Sequence, residues 1–131
     1  MSAPTLEHTA HHDREQPTPL TTVAVDNTRA CIRLCGEIDA ALAPALSGLV
    51  DEHVAADRRY LRLEMSAVTF MDTTVLGVIL AAHHRLLRSR GTLILTGVRK
   101  PVSRLLGITQ LDQELFVSGP RSDLDAATTS S

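Results

Sequence analysis

Along this chain, apolar and polar residues alternate in several short stretches and apolar residues recur every three to four positions in others. Alternation of period two marks a strand with one buried face, and recurrence at i, i+3, i+4 and i+7 marks a helix with one apolar stripe. Thr21 to Val25 and Ala30 to Cys35 are β-rich runs joined across the turn pair Asp26-Asn27, which predicts a hairpin. In the second run Ile32 and Leu34 face one way and Cys31, Arg33 and Cys35 the other, with Gly36 expected to close the strand. Leu42, Leu46, Leu49, Val50 and His53 predict a helix from Leu42 to about Ala56. Pro44 fits only its first turn, and Asp39 stands where it can cap the entry.

From Tyr60 to Met65 the alternation returns, with Leu61, Leu63 and Met65 on one side and Arg62 and Glu64 on the other. Val68 to Met71 leads into Asp72-Thr73-Thr74, and Val75 to about Arg90 predicts a strongly amphipathic helix with the stripe Leu76, Ile79, Leu80, His83, Leu86 and Leu87. Arg85, Arg88 and Arg90 suit the negative end of that helix, and Gly91 is expected to end it. Thr92 to Thr96 predicts a strand broken by Gly97, Pro101 to Gly107 a short helix carrying Val102, Leu105 and Leu106, and Leu115 to Val117 a last strand. Strands alternating with helices imply an α/β domain with a mixed, mostly parallel sheet of 4–5 strands, an antiparallel edge hairpin and helices mainly on one face. Residues 1–19 carry Pro4, Pro17 and Pro19 without any period and are expected to be a flexible leader. Residues 20–118 are expected to form the domain, and 119–131 a polar tail or a short terminal helix over Ser122 to Thr128.

Composition narrows the function. With 131 residues the chain suits one domain. Aromatic residues are only 2% of it, so the core must be aliphatic and base-stacking surfaces for nucleic acid are lacking. A formal net charge of -2 creates no basic field for nucleic acid or for anionic membranes, so neither is an expected partner. No apolar run reaches the roughly 20 residues of a membrane span, and the start lacks a secretory pattern, so the expected location is the cytoplasm. Cys31 and Cys35 lie roughly 13 Å apart along a strand, too far for a disulfide, and no ligand cluster stands beside them. His8, His11 and His12 have no supporting acids or thiols at fixed geometry, so no metal or other cofactor is expected.

An enzyme is not expected either. The glycines are scattered singly, with no phosphate loop to hold a nucleotide, and there is no Gly-x-Ser-x-Gly elbow. His83 falls on an apolar stripe and His84 beside it, which predicts one partly buried and one solvated histidine. Glu37, Asp39, Glu64 and Asp72 lie near strand ends or on a sheet face.

The most informative segment is Phe70-Met71-Asp72-Thr73-Thr74-Val75-Leu76-Gly77, where a strand-like run ends at an acid and two hydroxyls and a helix begins at once. Capping of the first-turn amides by Asp72 or a threonine is the common use of such residues. The same position has a second use, because a phosphate on a hydroxyl there faces free N–H groups and the positive end of the helix dipole. It adds about -1.5 to -2 charges to a local surface, which alters docking without unfolding the domain.

Leu34-Cys35-Gly36-Glu37-Ile38-Asp39, Phe70 to Leu80, Gly91 to Leu95 and Val102 to Leu111 together resemble bacterial anti-sigma factor antagonists with a STAS domain, over about Thr21 to Val117. The resemblance rests on the Gly-Glu-Ile-Asp turn and the Asp-hydroxyl-hydroxyl-x-Leu-Gly helix start at their joint spacing. It implies a STAS-like fold and a protein-binding switch. The unmodified form would bind an anti-sigma factor that is also a serine/threonine kinase and so free a sigma factor; phosphorylation would release it, and a phosphatase would reset it. The resemblance places the phosphorylated hydroxyl at Thr73 and the partner surface at Gly36, Glu37, Asp39, Asp72, Thr73, Thr74, Val75 and Leu76. Thr73 stands for the family's usual serine and Val75 for its usual glycine, putting a bulky residue where a kinase is expected to approach. The alternative within the same fold is a constitutive STAS subunit of a transporter or signalling scaffold.

Overall fold

The structure, a computed structural model, describes residues 18–118. The leader up to residue 17, with His8, His11 and His12, and the expected helix over Ser122 to Thr128 lie outside the described residues. Five strands, β1 (Leu20–Val25), β2 (Arg29–Ile38), β3 (Tyr60–Met71), β4 (Thr92–Thr96) and β5 (Phe116–Val117), form one sheet in the order β1-β2-β3-β4-β5. β1 pairs antiparallel with β2, and every other pairing is parallel. Three helices, α1 (Ala43–Ala55), α2 (Thr73–Arg88) and α3 (Lys100–Thr109), fill the crossovers. Each parallel connection steps to the next strand in the same direction, and right-handed crossovers that all step one way leave their helices on one face.

The register shows that face. Ala30 sits opposite Leu61, and Leu61 opposite Leu93; Ile32 sits opposite Leu63, and Leu63 opposite Leu95. These side chains are buried under Leu46, Val50, Leu76, Ile79, Leu86, Val102 and Leu106 from the helices. The core is aliphatic: the only Tyr and both Phe of the chain, Tyr60, Phe70 and Phe116, are about half exposed. Burying aliphatic area at about 25 cal/mol per Å² supplies the driving force for this layer. On the helix-free face Arg33 and Arg62 are exposed, but Cys31 is buried between its ladder neighbours Ala24 and Arg62 rather than wet. Both cysteines are free thiols.

Several boundaries depart from expectation. β2 does not close at Gly36; it runs on to Ile38 through two irregularities in its ladder with β3, and Gly36 takes φ +80 between them. That conformation suits only glycine comfortably and kinks the strand end. A 3₁₀ turn, Ala40–Leu42, precedes α1 and is capped by Asp39, whose carboxylate accepts from the Ala41 amide at 3.1 Å. α2 is ended by Arg90, not Gly91: Arg90 takes the left-handed conformation at φ 65, and the Gly91 amide donates back to the Leu86 carbonyl at 2.7 Å. Gly91 is needed for space instead, since a Cβ there would lie 2.2 Å from the Arg59 carbonyl oxygen. α3 continues past Gly107 to Thr109 and ends at Gln110, φ 63. Leu87, expected on the buried stripe of α2, is 47% exposed. His83 is buried with its ring edge-on to Phe116 at 5.7 Å, and His84 contacts Glu114.

Candidate functional site

Parallel strands carry their C-terminal ends to the same edge of a sheet, so the segments after β2 and β3 emerge side by side. Glu37 sits opposite Phe70 and Ile38 opposite Met71, and the Asp72 amide donates to the Ile38 carbonyl at 3.0 Å. That bond ties the helix start at Asp72 to the Gly36–Asp39 turn, so the two segments carrying the resemblance meet in space. Asp39 and Asp72 do the same work one crossover apart: each leaves its strand with an extended backbone and caps the helical turn that begins at the next residue.

Asp72 is the N-cap of α2, with φ -80 and ψ 147, and its Oδ1 accepts from the Thr74 amide at 2.7 Å. The Asp72 carbonyl also accepts from Val75 at 3.0 Å and Leu76 at 3.3 Å, closing the first turn. The bond from the Thr74 backbone, then that from its side chain, holds the Asp72 carboxyl below its ordinary value of 3.8. The acid is therefore committed to the helix start as a carboxylate.

Thr73 is the first residue of α2, and both it and Thr74 are exposed. Glu37 and Asp39 are exposed beside them, and Gly36 is partly exposed. Val75 and Leu76 are not surface residues. They are 0% and 1% exposed and belong to the hydrophobic core, so neither can touch a partner. The bulk at Val75 points inward, away from any enzyme approaching Thr73. Glu64 does not join this group; it lies lower on β3, 3.6 Å from Arg33. One surface residue belongs to neither motif's predicted contact set: Phe70, 48% exposed next to Glu37. Its one sequence signal is a large aromatic directly before an apolar-acid pair at a strand end, where an inward position would have been filled by an aliphatic residue as at Val68 and Met71.

Two hollows open nearby or on the same sheet. One, about 330 Å³, lies between α1 and α2 and is lined by Ser47, Val50, Thr74, Gly77, Val78 and Arg85, adjoining the Thr73 edge. The other, about 610 Å³, lies on the helix-free face among Ala24, Cys31, Tyr60, Arg62 and Ile94, at the opposite end of the strands from Asp72. Among the described residues no group of three or more His, Cys, Asp or Glu is placed to hold a metal ion, and no helix is long and apolar enough to cross a membrane.

The chain matches the family model described as "STAS domain" over residues 20–127. It is 28% identical over 100 residues, 76% of its own length and 88% of the relative's, to an anti-sigma-B factor antagonist of Listeria monocytogenes. An anti-sigma factor antagonist from Mycobacterium paratuberculosis superposes with a TM-score of 0.68 at 25% identity, covering 85% of this chain and 95% of that one. SpoIIAA from Bacillus in its phosphorylated form shares the fold, with a TM-score of 0.62 at 16% identity and coverage of 82% and 98%. The same protein in its unphosphorylated form superposes with a TM-score of 0.64 at 17% identity, covering 84% and 96%. With five strands in this order, three crossover helices and a family match across nearly all the described residues, the chain belongs to the STAS domain family, in the company of anti-sigma factor antagonists.

Proposed function

We propose that this chain is an anti-sigma factor antagonist that binds an anti-sigma factor with serine/threonine kinase activity, frees a sigma factor, and is released when Thr73 is phosphorylated. The observation that carries this reading is the placement of Thr73: an exposed hydroxyl on the first residue of a helix whose next two apolar residues, Val75 and Leu76, are locked in the core. A phosphate on Thr73 projects outward at the positive end of α2 and leaves the core contacts beneath it in place. The surface it modifies is Gly36, Glu37, Asp39, Phe70, Asp72, Thr73 and Thr74, already acidic at Glu37, Asp39 and Asp72. Adding about -1.5 to -2 charges there costs a docked partner the desolvation of the phosphate and repels any acidic group it places against this edge. A phosphatase that removes the phosphate restores binding. The work is done by contact and charge, with no catalysis by this chain, in the cytoplasm. The Listeria relative, whose name carries the same activity, supports the reading, as does SpoIIAA, which shares the fold and is known in both phosphorylated and unphosphorylated forms.

The test is incubation with candidate kinase-type anti-sigma factors and ATP, then mapping of the phosphate by mass spectrometry. Phosphate is expected on Thr73 and absent in Thr73→Ala. Thr73→Asp should remain folded and bind the partner at least about tenfold more weakly, since each tenfold is only about 1.4 kcal/mol and like charges at an interface cost more than that. Phosphate mapped to Thr74 instead, or a Thr73→Asp variant that binds like wild type, refutes the assignment.

A further inference from the structure

At the opposite corner of the domain from Thr73, a buried histidine holds the edge hairpin. His53, on the last turn of α1, is 5% exposed. Its Nδ1 lies 3.1 Å from Arg58 Nη1, and its Nε2 lies 3.4 Å from Thr22 Oγ1 on β1. A guanidinium can only donate, so the pair at 3.1 Å requires a lone pair on Nδ1. The ring is therefore neutral with its proton on Nε2, donating to the Thr22 hydroxyl. Arg58 has a second bond: its Nε donates to the Asp26 carbonyl at 2.9 Å, in the β1–β2 turn. Asp26 in turn organises that turn, its carboxylate accepting from the Thr28 and Arg29 amides, each at 2.9 Å.

One ring thus links α1 to β1 directly through Thr22 and to the hairpin turn through Arg58. We propose that His53 and Arg58 form an acid-sensitive latch, which holds the β1–β2 hairpin against α1 while the imidazole is neutral and lets it go when the ring takes a second proton. That proton arrives on Nδ1, the atom facing Arg58. It replaces a hydrogen bond with two positive groups at contact distance, one of them on a buried ring. Either Arg58 leaves, freeing the Asp26 carbonyl, or the ring swings out, and the Thr22 bond goes too. Among the charged groups around the ring, Arg58 opposes the second proton, Glu52 on the same helix favours it, and β1 presents only the Thr22 hydroxyl. Burial comes first and Arg58 second in keeping the His53 pKa below its ordinary 6.5. The unfolded chain takes up protons below pH 6.5 before the folded one does, so the latch contributes fully above 6.5 and is lost as pH falls through the lower folded value. β1 is the strand to yield, being an exposed edge paired on one side only, with an irregularity at Val23.

The experiment is an NMR titration of the full chain from about pH 7.5 to about 5.0, a range that brackets the ordinary histidine value. It tracks the His53 ring shifts together with amide exchange, expressed as protection factors corrected for intrinsic rate. The latch requires a His53 midpoint below 6.5 and, at the same midpoint, a drop of at least about tenfold in protection of the β1 amides, with Leu61–Leu63 and Leu93–Leu95 unchanged. Arg58→Met should raise the His53 midpoint and loosen the hairpin at the alkaline end of the titration. His53→Gln, which keeps an acceptor and a donor but cannot titrate, should flatten the pH dependence. A ring that titrates while β1 protection holds overturns the latch, as does a His53→Gln variant with the wild-type pH profile. Should His53→Gln fail to fold, the coincidence of the two midpoints in the wild-type chain decides alone.

Discussion

Val75→Gly tests the mechanical basis of the proposed switch, because it removes a side chain that this chain packs into its core at the start of α2. Val75 is 0% exposed at the third position of α2, directly under the exposed Thr73–Thr74 pair. Removing its side chain deletes three buried carbon groups at about 0.8 kcal/mol each, roughly 2.4 kcal/mol of transfer free energy. The cavity left behind, and the greater backbone entropy of glycine in a helix, raise the total to about 3–4 kcal/mol. For a domain of this size each kcal/mol moves the melting temperature by about 4–8 °C, so the loss is on the order of 15–25 °C. The assay is thermal and urea unfolding monitored by far-UV circular dichroism, with Val75→Ala as the intermediate case at about 2 kcal/mol. Below its melting temperature, Val75→Gly should still be phosphorylated at Thr73 and still bind the partner, because nothing that faces outward has changed. A loss under about 1 kcal/mol would mean that Val75 does not anchor the first turn, and a large loss of affinity in the folded variant would mean that it is a contact residue. Either result refutes the separation of a fixed base from an exposed switch.

Three further substitutions test the same geometry. Gly91→Ala drives a Cβ to 2.2 Å from the Arg59 carbonyl and should cost about 2–3 kcal/mol by urea unfolding, although the φ there needs no glycine; a neutral result would show that the two chain segments do not approach. Arg90→Gly relieves a left-handed conformation at φ 65 at the end of α2 and should gain about 0.5 kcal/mol, a rise of about 2–4 °C in Tm. Asp72→Asn keeps a capping oxygen but cannot titrate. Because the Asp72 carboxyl is held below 3.8 in the fold, its contribution is present above that value and lost as pH falls through the lower folded one, so wild type should be the more stable above that value and the difference should shrink in the acid range.

The strand and helix periods carry most of the architecture, since Leu61, Leu63 and Met65 or Leu93 and Leu95 can be placed on one face by parity alone. What parity cannot supply is a ladder shift, and the irregularities around Cys35 to Glu37 are why β2 passes through Gly36 instead of stopping there. On α2 the expected stripe is rotated slightly from the real one. The buried positions are Val75, Leu76, Ile79, Ala82, His83 and Leu86, whereas ranking by size selects Leu80 and Leu87. Ala82 faces the core although it is small, so a stripe drawn through large residues tilts away from it. That rotation accounts both for Val75 pointing inward and for Leu87 pointing outward. The Asp72 cap and the nearness of the Gly36–Asp39 turn are readable as types of residue at a spacing. The bond from Asp72 to the Ile38 carbonyl, which joins them, depends on β2 and β3 being parallel neighbours, a relation that lies in the topology. Nothing local announces the link to Asp26 either, since His53 and Arg58 stand together at the end of α1 while Asp26 belongs to the β1–β2 turn.

Two opposed effects meet when a phosphate reaches the cap. Asp72 already places a carboxylate at the positive end of α2, and a phosphate on Thr73 would arrive on the adjacent residue. The dipole and the first-turn amides favour the newcomer, and the neighbouring carboxylate opposes it. Thr73 is exposed and Asp72 partly so at this edge, so water and salt weaken attraction and repulsion alike, and neither is large against the burial of Val75 and Leu76 just beneath. The first turn therefore has little freedom to refold, and on the proposed function the cost of crowding negative charge falls on a partner seated on the exposed Glu37, Asp39 and Phe70. On the proposed reading a partner seated here loses the neutral hydroxyl it packs against, while the domain beneath keeps its shape. The partner's recognition of the two states then rests on charge at one edge of the sheet, and raising the ionic strength should narrow the difference in affinity between Thr73→Asp and wild type without altering the stability of either.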